Sequence, residues 1–230
     1  MISQAQIFHD RHDAGLQLAA ALSRFKEDRP VVLALPRGGV PVAFEVALEL
    51  EAELDLLLVR KIGAPGHEEL AIGAVVDGKE PHLVLNREIV ALAAPPPGYI
   101  EAEQKRQLAE IERRRRLYRG AEQPIVVKGR TAIVVDDGIA TGATVKAALR
   151  GIRQSEPQRL ILAVPVAPPD TIEKLAAECD EIVCLSAPKW FNAVGNHYED
   201  FTQTTDDEVM ALLAEAKAQH QAAGDSARHR

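Results

Sequence analysis

Apolar positions along the chain follow two alternating periods. Behind Asp10, whose carboxylate suits an N-cap, Ala14, Leu18, Ala21, Leu22 and Phe25 recur at helical spacing. "VVLALP" (31–36) is instead a short unbroken apolar run closed by "RGG", which predicts a buried strand. Pro41 then sits just inside the helix of "PVAFEVALELEA", where its missing N–H costs nothing. "LDLLLVRK" predicts the next strand and "GAPGHEE" a loop, while "LAIGAVVDG" and "PHLVLN" predict strands joined by an Asp77-Gly78 turn. "APPPG" (94–98) breaks the pattern before a long polar helix over 99–119. From Thr131 the two periods alternate regularly: strand 131–137, helix 143–154, strand "RLILAVPV", helix 169–178, strand "EIVCLSA" and a last helix over 205–219. Residues 221–230 are small and polar and are expected to form a disordered tail.

Strands alternating with helices, the strands apolar and β-branched, imply an α/β fold with a mostly parallel sheet and helices on both faces. Neither a repeat nor a linker divides the chain, so residues 1–220 are expected to form one domain with a small appended lobe. Composition narrows the function. The net charge of −7 argues against a general nucleic-acid binder, because phosphate backbones select basic surfaces. No apolar run approaches the roughly 18 residues of a membrane span, and the N-terminus lacks the pattern of a secretory signal. A cytoplasmic protein with reduced thiols is expected. Cys179 and Cys184 form no zinc or redox pattern and suit small apolar core positions.

The chemistry concentrates in "AIVVDDGIATGAT" (132–144). Asp136 and Asp137 end a strand, where ligands of open α/β sheets sit, and the small-residue turn after them leads into a helix N-terminus that suits a phosphate. Thr141 and Thr144 add hydroxyl donors, and the carboxylates suit a pair of vicinal hydroxyls. A phosphate beside a diol describes a ribose 5-phosphate. The loop lacks both the Gly-Lys-Ser/Thr ending of a P-loop and the G-x-G-x-x-G of dinucleotide binders.

This stretch resembles the 5-phosphoribosyl-1-pyrophosphate (PRPP) signature of type I phosphoribosyltransferases. The resemblance implies a single domain of that fold. It also implies that Asp136 and Asp137 hold the ribose hydroxyls, while Gly138, Ile139, Ala140, Thr141, Gly142, Ala143 and Thr144 surround the 5′-phosphate. In "LPRGGVP" (35–41), Arg37, Gly38 and Gly39 suit a pyrophosphate, since a fixed cation and unobstructed amides converge there. The resemblance implies a cis Pro36–Arg37 bond in that loop. "VRKIGAPGHEELAIGAV" (59–75) is similar to the flexible catalytic loop of orotate and adenine phosphoribosyltransferases. Arg60 and Lys61 would then reach pyrophosphate, with His67 and Glu68 either entering the closed site or lying at a solvated tip.

"APKWFNAVGNHYEDF" (187–201) gathers aromatic residues, including the only tryptophan, in a chain that has few. It resembles the base-binding hood of 6-oxopurine phosphoribosyltransferases, placed here at about 187–202. Phe191, Val194-Gly195 and Asp200 would fill its pattern, and either Trp190 or Phe191 would stack on the base. The family's usual purine-reading lysine has no clear counterpart. "ERRRR" (112–116) reads as the solvated basic face of the long helix, a dimer contact or a basic rim for PRPP.

The resemblance thus implies Mg²⁺-dependent transfer of the phosphoribosyl group from PRPP to a base, purine-like by preference, with release of pyrophosphate. Mg²⁺ would be held mainly by PRPP itself and no protein metal cage is expected. A homodimer is expected, with neither a nucleic-acid nor a membrane partner. The alternative is a non-enzymatic PRPP-binding regulator, since a fold does not guarantee chemistry.

Overall fold

Strand β1 (Val31–Ala34) is buried along its whole length, and successive side chains of a strand point to opposite faces. Val32 and Ala34 pack with Ile133, Val135, Ile161 and Ala163 under Leu18, Leu22, Val46 and Leu50. Val31 and Leu33 pack on the other face with Ala132, Val134, Leu160 and Leu162 against Val145, Leu149, Ile152 and Leu175. Such two-sided burial is why these strands read as continuous apolar runs.

The computed structural model describes residues 7–78, 81–120 and 123–228. Its main sheet contains β1, β2 (Glu53–Leu56), β6 (Thr131–Val135), β7 (Arg159–Val166) and β8 (Glu181–Ser186), all parallel, in the order β2-β1-β6-β7-β8. Helices α1 (Arg11–Leu22), α2 (Gly39–Leu50) and α7 (Asp206–Arg228) lie on one face; α5 (Ala143–Gln154) and α6 (Pro169–Leu175) lie on the other. A small antiparallel sheet holds β3 (Val59–Ala64), β4 (His67–Val76) and β5 (His82–Leu85), and is followed by α3 (Arg87–Ala93) and α4 (Tyr99–Arg119). This is the expected α/β architecture. No described helix is long and apolar enough to cross a membrane.

Four local expectations change. "LDLLLVRK" is divided between the two sheets: the Leu57 amide donates to Ala34 O at 2.8 Å, whereas Leu58 O accepts from the Asp77 amide at 2.8 Å. An apolar run reads alike whether one sheet or two bury it. "GAPGHEE" is largely strand, because β3 and β4 form a hairpin that turns at Pro65-Gly66, with Gly66 at φ 73°. Helix α3 is unanticipated; the Asn86 side chain accepts from the Ile89 amide at its start. Helix α7 continues past 219 to Arg228, so the chain from 221 remains helical there. Alanine-rich sequence without proline sustains a helix after its apolar stripe ends. The side chain of Glu68 lies outside the described residues.

Helix α4 is not simply solvated on its basic face. Arg113 and Arg116 pair with Glu110 and Glu112 on their own helix. Arg115 and Arg119 turn inward to Asp77, and Arg119 also bonds Asp55 through Nε at 2.6 Å. Asp55 further accepts from the Ile125 amide at 2.9 Å. These buried pairs tie the small sheet, the main sheet edge and α4 together.

Candidate active site

Strands β1 and β6 are parallel neighbours, so the loops leaving their C-terminal ends emerge side by side. The Leu35 amide donates to Val135 O at 2.9 Å and carries this contact past the end of β1. The Pro36–Arg37 peptide that follows is cis. A Cβ on Gly38 would lie 2.0 Å from Asp137 Oδ2, and one on Gly39 would lie 2.8 Å from Val135 O and 3.3 Å from Asp136 Oδ1. The glycine loop therefore lies directly against the acid pair, and any side chain there would displace it. Arg37, beside them, has its guanidinium 3.6 Å from Asp206 at the start of α7.

The acids are held in an unusual electrical state. Burial first, and then the neighbouring Asp137 charge, push the Asp136 carboxyl well above the usual carboxylate range. Burial also raises Asp137, but Arg11 opposes it: the guanidinium Nε and Nη2 both lie 2.8 Å from Asp137 Oδ2. The same arginine reaches Thr202 O at 2.7 Å and lies 3.9 Å over the Phe201 ring.

The raised Asp136 carries a stability prediction. A folded-state value above the unfolded one means that ionising Asp136 weakens the fold as pH rises through that folded value. Asp136→Asn removes this penalty. Its melting temperature without ligand should exceed that of the wild type by more at about pH 8 than at about pH 5. Thermal melts at both pH values check it, and a variant less stable at the higher pH contradicts it.

Beyond the acids, Gly138 is enclosed: a Cβ there would meet Val194 Cγ1 at 2.5 Å and Val166 Cγ1 at 2.9 Å. Ile139 is a core residue whose amide already donates to Val166 O at 2.9 Å, so it anchors the loop. Ala140 O accepts from Thr171 Oγ1 at 2.8 Å, and Gly142 turns at φ 75° into α5. The amides of Thr141, Gly142, Ala143 and Thr144 stand at the helix start, where no preceding turn supplies intrahelical acceptors. With Thr141 and Thr144 among them, they have the chemistry that an anion at a helix start needs.

Arg60 and Lys61 have different surroundings. Neighbouring strand residues face opposite ways, and Arg60 donates to Gln107 Oε1 on α4 at 3.2 Å. Lys61 lines a cavity of about 380 Å³ with Thr141, Lys146 and Arg150. Of the two aromatic candidates, Phe191 stacks on His197 with ring centroids 5.2 Å apart and packs with Tyr198 and Phe8. Trp190 is 93% exposed. Asp200 Oδ1 accepts from the Thr202 amide and hydroxyl within its own turn.

Three contacts were not foreseen. Arg11 reaches Asp137 across 126 positions of sequence, and Tyr198 donates its hydroxyl to the Asp137 carbonyl. Residues 187–202 are also pinned by the other end of the chain: Phe8 donates to His197 O at 2.9 Å, and the Glu199 amide donates to Phe8 O at 2.9 Å. Only the charged first turn behind Asp10 hinted at a role for this end, and nothing local paired it with Asp137.

Fold and site together define a phosphoribosyl transferase domain, and the chain belongs to that family: residues 5–201 match the model of the phosphoribosyl transferase domain. Two relatives from Mycobacterium tuberculosis strains, one named "Putative phosphoribosyl transferase Rv0571c", are each 47% identical over 95% of this chain. The chain spans about half the length of these curated relatives (49%). The crystal structure of TT1426 from Thermus thermophilus is 47% identical, covers 91% of this chain and 99% of its own, and superposes with a TM-score of 0.81.

Proposed function

We propose that this domain transfers the 5-phosphoribosyl group from Mg²⁺-bound PRPP to a ring nitrogen of a purine-like base, releasing pyrophosphate. One observation carries the reading: the Arg37–Gly39 loop touches the Asp136–Asp137 pair, and that pair leads directly into the start of α5. A diol site lies between two phosphate sites, which is the outline of PRPP. The family description and the names of the relatives support the same reaction class.

Each part then has a task. The acid pair accepts the ribose hydroxyls, and Thr141 to Thr144 hold the 5′-phosphate. Arg37 and the amides of Gly38 and Gly39 hold the pyrophosphate. The bond from C1 to the pyrophosphate oxygen breaks with its electron pair leaving on that oxygen. The lone pair of the base nitrogen forms the new C1 bond from the opposite side, with inversion, and the proton of that nitrogen leaves to the released pyrophosphate or to water. Positive charge on the sugar in between is stabilised by the fixed carboxylates. Mg²⁺ enters as part of the substrate, held by PRPP oxygens and water.

Trp190 is the exposed ring that a base could stack on, whereas Phe191 packs against the small cluster of Phe8 and Tyr198. A cytoplasmic, homodimeric enzyme is part of the proposal; the free thiols fit a reducing compartment, with burial pushing Cys179 up to about 11.

A panel of purine and pyrimidine bases incubated with Mg²⁺ and PRPP tests the reading through pyrophosphate release. Release with at least one purine-like base is expected. PRPP binding with no release for any base would favour the regulator instead.

Lys61 sits within a strand and lines the same cavity as Thr141, which favours a role in the resting pocket over one on a lid. Lys61→Ala should therefore weaken PRPP binding about 10-fold, as loss of one charge-assisted contact does, with turnover falling in parallel. Calorimetry beside steady-state rates checks this, and turnover lost at unchanged affinity would restore a closing role.

A further inference from the structure

Arg11 is the only side chain from α1 with a hydrogen bond to the acid pair among the described contacts, and it is held on three sides. Nε and Nη2 both reach Asp137 Oδ2, Nη1 reaches the Thr202 carbonyl, and the guanidinium plane lies over Phe201. The pair is largely dry, with side-chain exposures of 11% for Arg11 and 14% for Asp137. A guanidinium satisfied by a carboxylate, a carbonyl and a ring has little freedom to leave. The oxygen it grips is also the one packed on Gly38. Asp137 is thus clamped between α1, the glycine loop and the hood, and Tyr198 holds its carbonyl from behind.

We infer that Arg11 is a positioning residue of the PRPP site: it fixes the charge and the orientation of the Asp137 carboxylate so that the acid pair meets the ribose hydroxyls ready to accept. The inference rests on the PRPP reading above. Two adjacent buried carboxyls compete for one negative charge, and a diol needs acceptors. One permanent cation on one member breaks that symmetry. Asp137 is the carboxylate, and Asp136 bears the proton more readily. The N-terminal helix therefore completes a site whose other parts all lie on the sheet ends.

The groups facing this pair are few among the described residues. Asp137 meets Arg11 from α1, Asp136 from its own strand end and the Tyr198 phenol from the hood. Arg11 in turn feels Asp200 of the hood and Glu208 of α7. Arg37, in the glycine loop, is turned to Asp206. Removing Arg11 leaves Asp137 buried beside Asp136 with no cation bonded to it among these groups, so it protonates at higher pH.

Titrating Mg²⁺–PRPP by calorimetry across pH, for wild type, Arg11→Gln and Arg11→Lys, tests this. PRPP titrates identically in all three, so differences belong to the protein. In Arg11→Gln the midpoint of the acid-side loss of affinity should move up by about 1–3 pH units, with binding at neutral pH at least about 10-fold weaker. Arg11→Lys keeps the charge but loses the fork; its midpoint should stay near that of the wild type while affinity falls. A purely structural latch would lower melting temperature at every pH and leave the midpoint in place. An unmoved midpoint in Arg11→Gln overturns the inference. Arg11→Lys is read even if the glutamine variant does not fold, and either full affinity or a midpoint shifted upward in it overturns the inference. Wild-type protein that binds no PRPP at any pH overturns the reading beneath it instead.

Discussion

Replacing Asp136 and Asp137 together by asparagine lowers PRPP affinity by at least about 10-fold, because the negative charge of the pair, held mainly by Asp137, supplies a charge-assisted bond of roughly 1.5–3 kcal/mol to the ribose hydroxyls. At Asp136 the loss should be one of binding and not of folding. Asp136 is destabilising when charged, since burial opposes its ionisation, and its amide replacement removes that cost. Asp137→Asn instead leaves the largely buried Arg11 without its carboxylate, so the double variant should melt below Asp136→Asn, while Asp136→Asn alone should stay folded and bind more weakly. Calorimetric titration with thermal melts checks both halves, and unchanged PRPP affinity contradicts the assignment of the acids.

The second large effect lies away from the site. Arg119→Ala should destabilise the fold by about 3–5 kcal/mol, the usual consequence of removing one partner from a buried ion pair. Arg119 is 6% exposed and bonds Asp55 and Asp77, which are 9% and 1% exposed, so truncation leaves two carboxylates buried with less compensation. Arg116→Ala, which breaks an exposed pair with Glu112, should change stability by no more than about 0.5 kcal/mol. Denaturant midpoints measure both. An Arg119→Ala loss under about 1 kcal/mol would mean that the cluster does not hold the small sheet to the core.

These two predictions differ in how far the sequence foretold them. The acid pair was legible because its signal is local: an apolar β-branched strand, two acids, then small residues opening a helix, all within 131–144. The glycine loop of 35–41 was legible for the same reason, and the two meet because their strands are neighbours. The pairs Arg119–Asp55 and Arg11–Asp137 span 64 and 126 positions, and no periodicity encodes a partner at that distance. "ERRRR" shows why composition misleads here: one run of like charges supplies both solvated residues and buried ion-pair partners, according to the helix face on which each falls. Likewise, "LDLLLVRK" carries no mark of where one sheet ends and the next begins, since Leu57 and Leu58 are buried on either side of the crossing. The stretch 187–202 could be recognised by its aromatics, but not its pairing with Phe8 at the opposite end of the chain.

The Arg60-Lys61 pair shows the same limit at closer range. As a sequence it reads as two cations leading into one loop; as a strand it sends one to Gln107 and the other to the cavity that Thr141 also lines. Period-2 geometry would have separated them, had the loop been recognised as a hairpin.

A crystal structure with Mg²⁺ and PRPP bound tests the central claim most directly. The ribose hydroxyls should lie within hydrogen-bond distance of Asp136 and Asp137, the 5′-phosphate on the amides of Thr141 to Thr144, and the pyrophosphate against Arg37, Gly38 and Gly39. PRPP density away from the acid pair, for example in the cavity of about 490 Å³ lined by Arg87, Arg150 and Arg153, would contradict it.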